Sequence, residues 1–502
     1  MYTEPIVETK PLDTLGRLCL LAGITAFAGW VTKYFGIATT PLSQVAVCTF
    51  VAVICTALLF WSYRVAVAFL GASLLIGTHT MTLQSLLRST ELEIILFLIG
   101  MMIVVGALKD LGLLTWIIQC IINRERMTGL TFTVVLCMLS AFLSAFIGEV
   151  SSIVVVLALV FQVCDTLKIR ATPFVLIAVF CTNIGSAATM LGNPVGVFIG
   201  HKAGFTFGQF LIGAAPITAI AFAVTVAVLL FWYRKSIANM TQKMEEHRKL
   251  HRGLGPMIRI PHRRGLSVLI ITFLIAAFHH QIETALGLIG ADNINAVLII
   301  TPLIIAGILM IYRPHRAQYY VEHEVDWWTL LFFMFLFAIA AGLQEQNVTQ
   351  KIADRLAAYA TGSSKALLPF VVGITALGSA FVDNIVCAAA FKPVVQSLVE
   401  HASEYSLLWW ALLFGACFGG NITVVGSTAN IVAVGLLERR GHSQIPFLEW
   451  FKIGLTIGVL TSLIAWGALS VLPMPKPLNE HPASEVNAKV QTGLQTSTQP
   501  AP

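Results

Sequence analysis

Charge is what this chain of 502 residues has least of: Asp, Glu, Lys and Arg make up 11% of it, against 57% hydrophobic residues. A soluble globular chain carries about 25% charged residues, so lipid rather than water must solvate most of this one. The net charge of +6 comes from basic residues in short loops between apolar runs, a topogenic pattern that argues against a nucleic-acid-binding face. Nine cysteines lie in apolar stretches and form no CxxC pair; they read as small core residues, not a disulfide framework. No metal-ligand spacing is visible, and His279-His280, beside Gln281 and Glu283, read as interfacial histidines. The polar N-terminus, with Glu4, Glu8 and Asp13, lacks the apolar core of a cleavable signal peptide. A nucleotide-binding motif is also missing. That argues against ATP-driven pumping by this chain alone and leaves a separate partner ATPase open.

What is present is a set of apolar runs long enough to span a bilayer, roughly 17–25 residues each, near 16–36, 40–62, 65–82, 92–123, 172–201, 207–233, 266–286, 293–312, 327–346, 405–436 and 451–473. Two stretches, about 128–166 and 364–400, are too long for one span and carry polar residues in their middles, which predicts re-entrant helical hairpins. Arg124 and Arg126 precede the first hairpin and Lys168 and Arg170 follow it, so both its ends read as cytoplasmic. The segment Arg234 to Arg264 holds nine basic residues against Glu245 and Glu246 and reads as a cytoplasmic basic loop. Arg313, Arg316, Arg439 and Arg440 fall on the same side, while the second hairpin leaves into Glu400, His401 and Glu404 and points outward. The expectation is an integral membrane protein of about eleven spans in a bacterial inner (plasma) membrane, N-terminus cytoplasmic and C-terminus outside.

The central half of the chain occurs twice. Ser144-Ala-Phe-Ile-Gly-Glu-Val150 returns 235 residues later as Ser379-Ala-Phe-Val-Asp-Asn-Ile385, and Leu108-Lys-Asp110 as Leu343-Gln-Glu345. Asn183-Ile-Gly-Ser-Ala-Ala-Thr-Met-Leu-Gly192 faces Cys417-Phe-Gly-Gly-Asn-Ile-Thr-Val-Val-Gly426 at an offset of 234. Paired, interrupted hydrophobic segments in two halves mark secondary transporters. The fold class expected is an all-α polytopic membrane protein of two inverted repeats, each with a re-entrant hairpin and a discontinuous helix. Its plan is 1–91 N-terminal spans, 92–233 repeat one, 234–264 basic linker, 265–326 linking spans, 327–473 repeat two and 474–502 a disordered tail.

Polar residues inside the membrane are costly, about 2.5–3.5 kcal/mol for a central Asp on insertion scales, and are therefore functional candidates. The first hairpin tip offers Glu149 and Ser151, the second Asp383 and Asn384. The alternative for each acid is a hydrogen bond to exposed backbone at a helix break. The broken helices offer Asn183, Thr189 and Asn193 in repeat one and Asn421, Thr423, Ser427 and Asn430 in repeat two. Gly and Pro there free carbonyls that, with Asn, Ser and Thr oxygens, can hold a hard cation, while half-helix N-termini can hold an anion. Lys392 lies eight residues past Asn384, roughly 12 Å along a helix; it is a charge partner for a carboxylate or it snorkels to the surface. Lys109-Asp110 and Glu345 suggest internal ion pairs at a helix bend.

Glu324-Val-Asp-Trp-Trp-Thr-Leu-Leu-Phe-Phe333, Val382-Asp-Asn384, Thr182-Asn-Ile-Gly185 with Gly192-Asn-Pro194, and Gly419-Gly-Asn421 with Gly426-Ser427 and Ala429-Asn430 resemble the ion transporter superfamily. That superfamily includes arsenite permeases, sodium–proton antiporters of this fold, the melanosomal P protein and citrate or dicarboxylate transporters. The resemblance spans roughly residues 40–473. It implies a scaffold and a mobile transport subdomain, commonly in a homodimer, with cation and substrate bound at hairpin tips and helix breaks. By position it makes Glu149, Ser151, Asn183, Asp383, Asn384, Asn421 and Thr423 binding candidates. One departure stands out: the first tip usually reads Asp-Asn or Ser-Asn-Thr and here reads Gly148-Glu-Val-Ser151. Either the usual first cation site is missing or Glu149 replaces it with a protonatable group.

Neither tip nor broken helix contains arginine, the bidentate partner of a site that grips carboxylates. The expected function is a proton- or sodium-coupled secondary transporter of a small ion or metalloid, with no cofactor beyond H⁺ or Na⁺. Sodium-coupled uptake of a carboxylate or inorganic anion is the alternative. An intramembrane enzyme using Glu149 and Asp383 as acid and base is the competing class, and it would need no repeat symmetry.

Overall fold

The computed structural model describes residues 11–60, 63–122, 127–249, 262–285, 296–359, 364–440 and 445–476, so Arg124, Arg126 and 250–261 of the basic segment lie outside the described residues. The chain starts with α1 (Pro11–Tyr34), α2 (Pro41–Leu59), α3 (Arg64–Gly77) and α4 (Leu83–Arg88). Thr40 closes a capping box with Ser43 at the start of α2, where Pro41 fits the first turn because its missing N–H has no partner there. The run expected at 92–123 breaks at Gly112, whose φ of +77° is cheap only for glycine, into α5 (Leu92–Asp110) and α6 (Leu113–Ile122). Next come α7 (Gly129–Ile147), α8 (Glu149–Leu167), α9 (Thr172–Ser186), α10 (Pro194–Ala203), α11 (Phe207–Trp232) and α12 (Arg234–Lys249).

The helix α12 corrects the expectation of a loop. Ile237, Met240 and Met244 are buried along one face, a helical spacing hidden in a strongly polar sequence. The face packs on α7 and α8; Arg248 donates to the Met127 carbonyl at 2.8 Å and Gly129 N–H to Thr241 Oγ1 at 3.0 Å. On its exposed side, hydrogen bonds from Lys243 and Gln242 hold the Glu246 carboxyl below its ordinary range.

After α13 (Arg263–Ala277) and α14 (His279–Ala285), which meet at a 63° bend, come α15 (Ala296–Tyr312), α16 (Pro314–Tyr319) continued by a π-helical turn at Tyr320–Glu324, α17 (Trp327–Glu345) and α18 (Val348–Tyr359). The chain closes with α19 (Ser364–Phe381), α20 (Asn384–His401), α21 (Leu407–Gly419), α22 (Thr428–Arg439) and α23 (Phe447–Val471). Among the described residues there is no strand, and the protein is an all-α polytopic membrane protein. Seven helices are long and apolar enough to cross a bilayer, or eight counting the bent pair; six further apolar helices are shorter. Eleven spans therefore need several of the shorter helices to cross as well. Both arms of the first hairpin, α7 and α8, are 19 residues long and pass as spans by length and composition, so length alone does not mark them as re-entrant.

By its internal contacts the chain divides into two units, Met1–Ile95 with Asp326–Leu356 and Ala389–Val394, and Leu96–Val325 with Ala357–Ala388 and Val395–Pro502. In the first, α17 packs on α2, α3 and α4. Asp326 caps α17 through Thr329, which also receives Arg64 at 2.8 Å. In the second, α7 packs on α9 and α19 on α21, while α11 and α23 pack on each other and both on α9. The tail expectation covers 474–502, of which 477–502 lie outside the described residues. Its first residues are anchored: Trp410 Nε1 donates to the Pro475 carbonyl at 3.3 Å and Gln209 Nε2 to that of Lys476 at 3.0 Å.

Candidate functional site

Each half builds one hairpin turn against one helix break, with matching atoms. The turn between α7 and α8 is Gly148, at φ +88°, and that between α19 and α20 is Val382-Asp383. Ser144 Oγ donates to the Thr182 carbonyl at 2.7 Å, and its repeat mate Ser379 to that of Ala416 at 2.6 Å. The Thr189 hydroxyl donates to the Ala145 carbonyl and accepts from Leu191 N–H; the Thr423 hydroxyl donates to the Ala380 carbonyl and accepts from Val425 N–H. A Cβ on Gly185 would overlap Ala141, and one on Gly419 would overlap Ala376. Glycine is thus required where each broken helix meets its hairpin, and four contacts recur at offsets of 234 or 235.

The two breaks meet at Asn183, which is wholly buried. Its amide donates to Asn421 Oδ1 at 3.1 Å and Asn430 Oδ1 at 2.8 Å, and its own oxygen accepts from Ser427 Oγ at 3.3 Å. Asn430 in turn donates to the Gly420 and Thr423 carbonyls at 2.8 and 2.9 Å, and Asn421 to that of Phe418 at 3.2 Å. Side-chain amides therefore satisfy carbonyls that the helix break releases, which buried backbone demands. The Phe418 and Thr423 carbonyls each accept a backbone N–H as well, from Asn421 at 3.2 Å and Gly426 at 3.3 Å.

The acids differ in their surroundings. Glu149 opens α8, is 5% exposed, and has as its side-chain hydrogen bond the Ser186 hydroxyl at 3.4 Å. Ser186 Oγ also donates to the Asn183 carbonyl and accepts from Asn193, whose amide reaches Cys417 Sγ at 3.2 Å and whose oxygen caps α10. Asp383, equally buried, caps α20 through Ile385 N–H at 3.1 Å and takes Thr428 N–H at 2.9 Å and Thr428 Oγ1 at 2.5 Å. It thereby ties two helix N-termini, where negative charge is favoured. Asn384 accepts from Ser379 at 3.3 Å, while its buried amide nitrogen has no partner among the described residues.

The geometry thus gathers Glu149, Asn183, Thr189, Asn193, Asp383, Asn384, Asn421, Thr423, Ser427 and Asn430 around the two breaks. Ser151 is half-buried without a hydrogen bond to a described residue. Lys392 forms an ion pair with Glu91 at 3.3 Å, its side chain 17% and that of Glu91 8% exposed; the carboxylate that meets it is one the sequence reading did not single out. Lys109 pairs with Glu324 at 2.6 Å, and Asp110 with Arg316 at 2.7 and 3.0 Å and Tyr320 at 2.9 Å, so the ion pairs expected there form with the 314–324 segment. Glu345 is exposed. His279 is buried with its Nδ1 2.8 Å from the Ala276 carbonyl, and Glu283 accepts from Val297 N–H at 2.8 Å. Ser186 and Thr428 were missed; their signal was a hydroxyl beside a glycine or a cap at a break.

The sequence model of a family described as "Citrate transporter" matches residues 50–301 and 294–489. An uncharacterized transporter of Mycobacterium bovis is 31% identical over 84% of this chain and 97% of its own length. The 46 kDa membrane protein of Mycobacterium leprae is 29% identical over 79% and 91%. The human P protein is 27% identical over 80% of this chain and 55% of its own length. Matched over most of its length and built around two paired helix breaks, the chain belongs to the citrate transporter family of membrane transporters.

Proposed function

We propose that this protein is a secondary active transporter that couples a proton or sodium gradient to movement of a small carboxylate, with Glu149 as the ion-coupling group. The observation that carries the reading is the contrast between the two acids. Asp383 uses three acceptor positions to hold α20 and α22, whereas Glu149 has one long hydrogen bond, leaving oxygens for a proton or a sodium ion that the Ser186 hydroxyl can share. The unpartnered Asn384 amide nitrogen is a donor for a cargo oxygen, and in the absence of arginine at the tips that cargo is held by amides, hydroxyls and helix N-termini.

A carboxylate is favoured over an inorganic ion or metalloid by the family description. The metalloid reading lacks a thiol cluster: Cys417 lies in the site against Asn193, and no group of three metal-binding side chains occurs among the described residues. The proposal places the protein in a bacterial plasma membrane as a homodimer with inverted repeats, driven by the gradient without need of an ATPase partner. Its test is uptake of radiolabelled citrate, arsenite and sulfate into proteoliposomes under imposed proton or sodium gradients. Gradient-dependent accumulation of citrate is the expected result; accumulation of arsenite alone would return the cargo to the metalloid class.

A further inference from the structure

Seven buried hydroxyls among the described residues have no hydrogen-bond partner, and five of them sit on or at the end of two neighbouring helices: Thr172 and Thr182 on α9, Thr218 and Thr225 on α11, and Tyr233 just after α11. All five side chains belong to residues 6% exposed or less. This is unusual within the molecule. Several buried helical threonines elsewhere turn back onto a carbonyl of their own helix, as Thr133, Thr272, Thr301, Thr375 and Thr461 do, while Thr349 on α18 also has no partner among the described residues. A buried polar group left without a partner is costly, and in a native fold it marks a place for water.

The five have an order. Spacings of seven and eight residues keep Thr218, Thr225 and Tyr233 on one side of α11, with rises of roughly 10 and 12 Å between them. Thr218 and Thr225 belong to the buried stripe of α11, which packs on α9. At one end Tyr233 lines a cleft of about 170 Å³ together with Arg170, Ser236, Asn239 and Glu449. At the other end Thr182 precedes Asn183, whose carbonyl accepts from Ser186, and Ser186 reaches Glu149.

We propose that the cleft at Tyr233 is the mouth of a hydroxyl-lined water path that follows α9 and α11 to Asn183 and Ser186 and brings protons to Glu149. At about 2.8 Å per O–H···O step, three or so waters bridge each gap between hydroxyls on α11. The proton balance is simple: a hydronium at the cleft gives up its proton to the file, and the Glu149 carboxylate takes one and becomes a carboxylic acid. The inference rests on the reading of Glu149 as the coupling group, with the proton as the ion.

Two measurements on the full-length protein in nanodiscs and proteoliposomes separate this path from that reading. X-ray hydroxyl-radical footprinting labels buried side chains that touch water. Tyr233 and the 218–225 segment are expected to be modified at least tenfold faster than in the Thr218→Val/Thr225→Val variant. Equal rates in the two proteins overturn the path whether or not transport is proton-coupled. In the second measurement the same variant, with Thr218→Ser/Thr225→Ser as the hydroxyl-keeping control, is tested for proton-driven citrate uptake. The path predicts at least a tenfold loss of net uptake in the valine variant, retained citrate exchange, and recovery in the serine control. Unchanged uptake with a higher melting temperature is the signature of two dry hydroxyls relieved of burial, and it contradicts the proposal.

Discussion

Glu149 and Asp383 carry the same charge, yet the repeat register puts them in different columns: Asp383 aligns with Gly148, and Glu149 with Asn384. Their partners change in step. Asp383 faces Thr428, whose repeat mate is Pro194, a residue with no N–H to offer, and the position facing it in repeat one is glycine. Glu149 faces the Ser186 hydroxyl, whose mate is Gly420, where a Cβ would collide with Asn384 Oδ1. Asp383→Ala removes three hydrogen bonds and strips the α22 N-terminus of its anion, so it is expected to destabilise by about 2–3 kcal/mol, read as a lower melting temperature in detergent; Asp383→Asn should recover part of the loss. Asn183→Ala leaves the Asn421 and Asn430 oxygens without their shared donor and should cost about 1–3 kcal/mol by the same measurement. These pairings span 37 to 247 residues of chain and were not legible in the sequence. What was legible is that Asn, Ser and Thr inside apolar runs mark the places where they occur.

At the scale of elements, the broken helices announced themselves because Gly, Asn and Pro interrupt runs that would otherwise be continuous. α12 did not, because its three buried residues are outnumbered by charges, and tertiary packing rather than mean polarity decides its state. The matching glycines give a symmetric test. Gly185→Ala and Gly419→Ala each force a methyl into the opposing hairpin helix, Ala141 in one half and Ala376 in the other. Each is expected to destabilise by about 1–3 kcal/mol, and to similar extents, as measured by thermal unfolding in detergent; a large loss at one and none at the other would show that the halves do not share this contact energetically. The ion pair between Glu91 and Lys392 belongs at this scale too. Glu91 sits at φ +52°, a strained conformation for a non-glycine residue, and removing one partner of a buried pair costs about 3–5 kcal/mol. Glu91→Gln should therefore lower the melting temperature more than Lys392→Met combined with Glu91→Gln, which leaves no charge behind.

At the scale of the whole molecule, composition pointed to a membrane protein and the internal repeat to a transporter, and the family match bears out both conclusions. Span count was less legible, because helices of 13–17 residues such as α9, α15 and α21 satisfy a bilayer only with the segments that continue them. Tag accessibility in oriented membranes should place α12 in the cytoplasm and the residues after Pro473 outside; finding both on one side would contradict the proposed inverted repeats, which require an odd number of crossings between them. The proposed role of Glu149 in coupling the ion to the cargo stands or falls on citrate transport by Glu149→Gln in proteoliposomes. Glutamine keeps the size and the Ser186 contact but cannot release a proton or balance a sodium ion. This variant is expected to exchange citrate across the membrane while failing to accumulate it under an imposed gradient. Accumulation equal to that of the unaltered protein, with the same ion dependence, would contradict it.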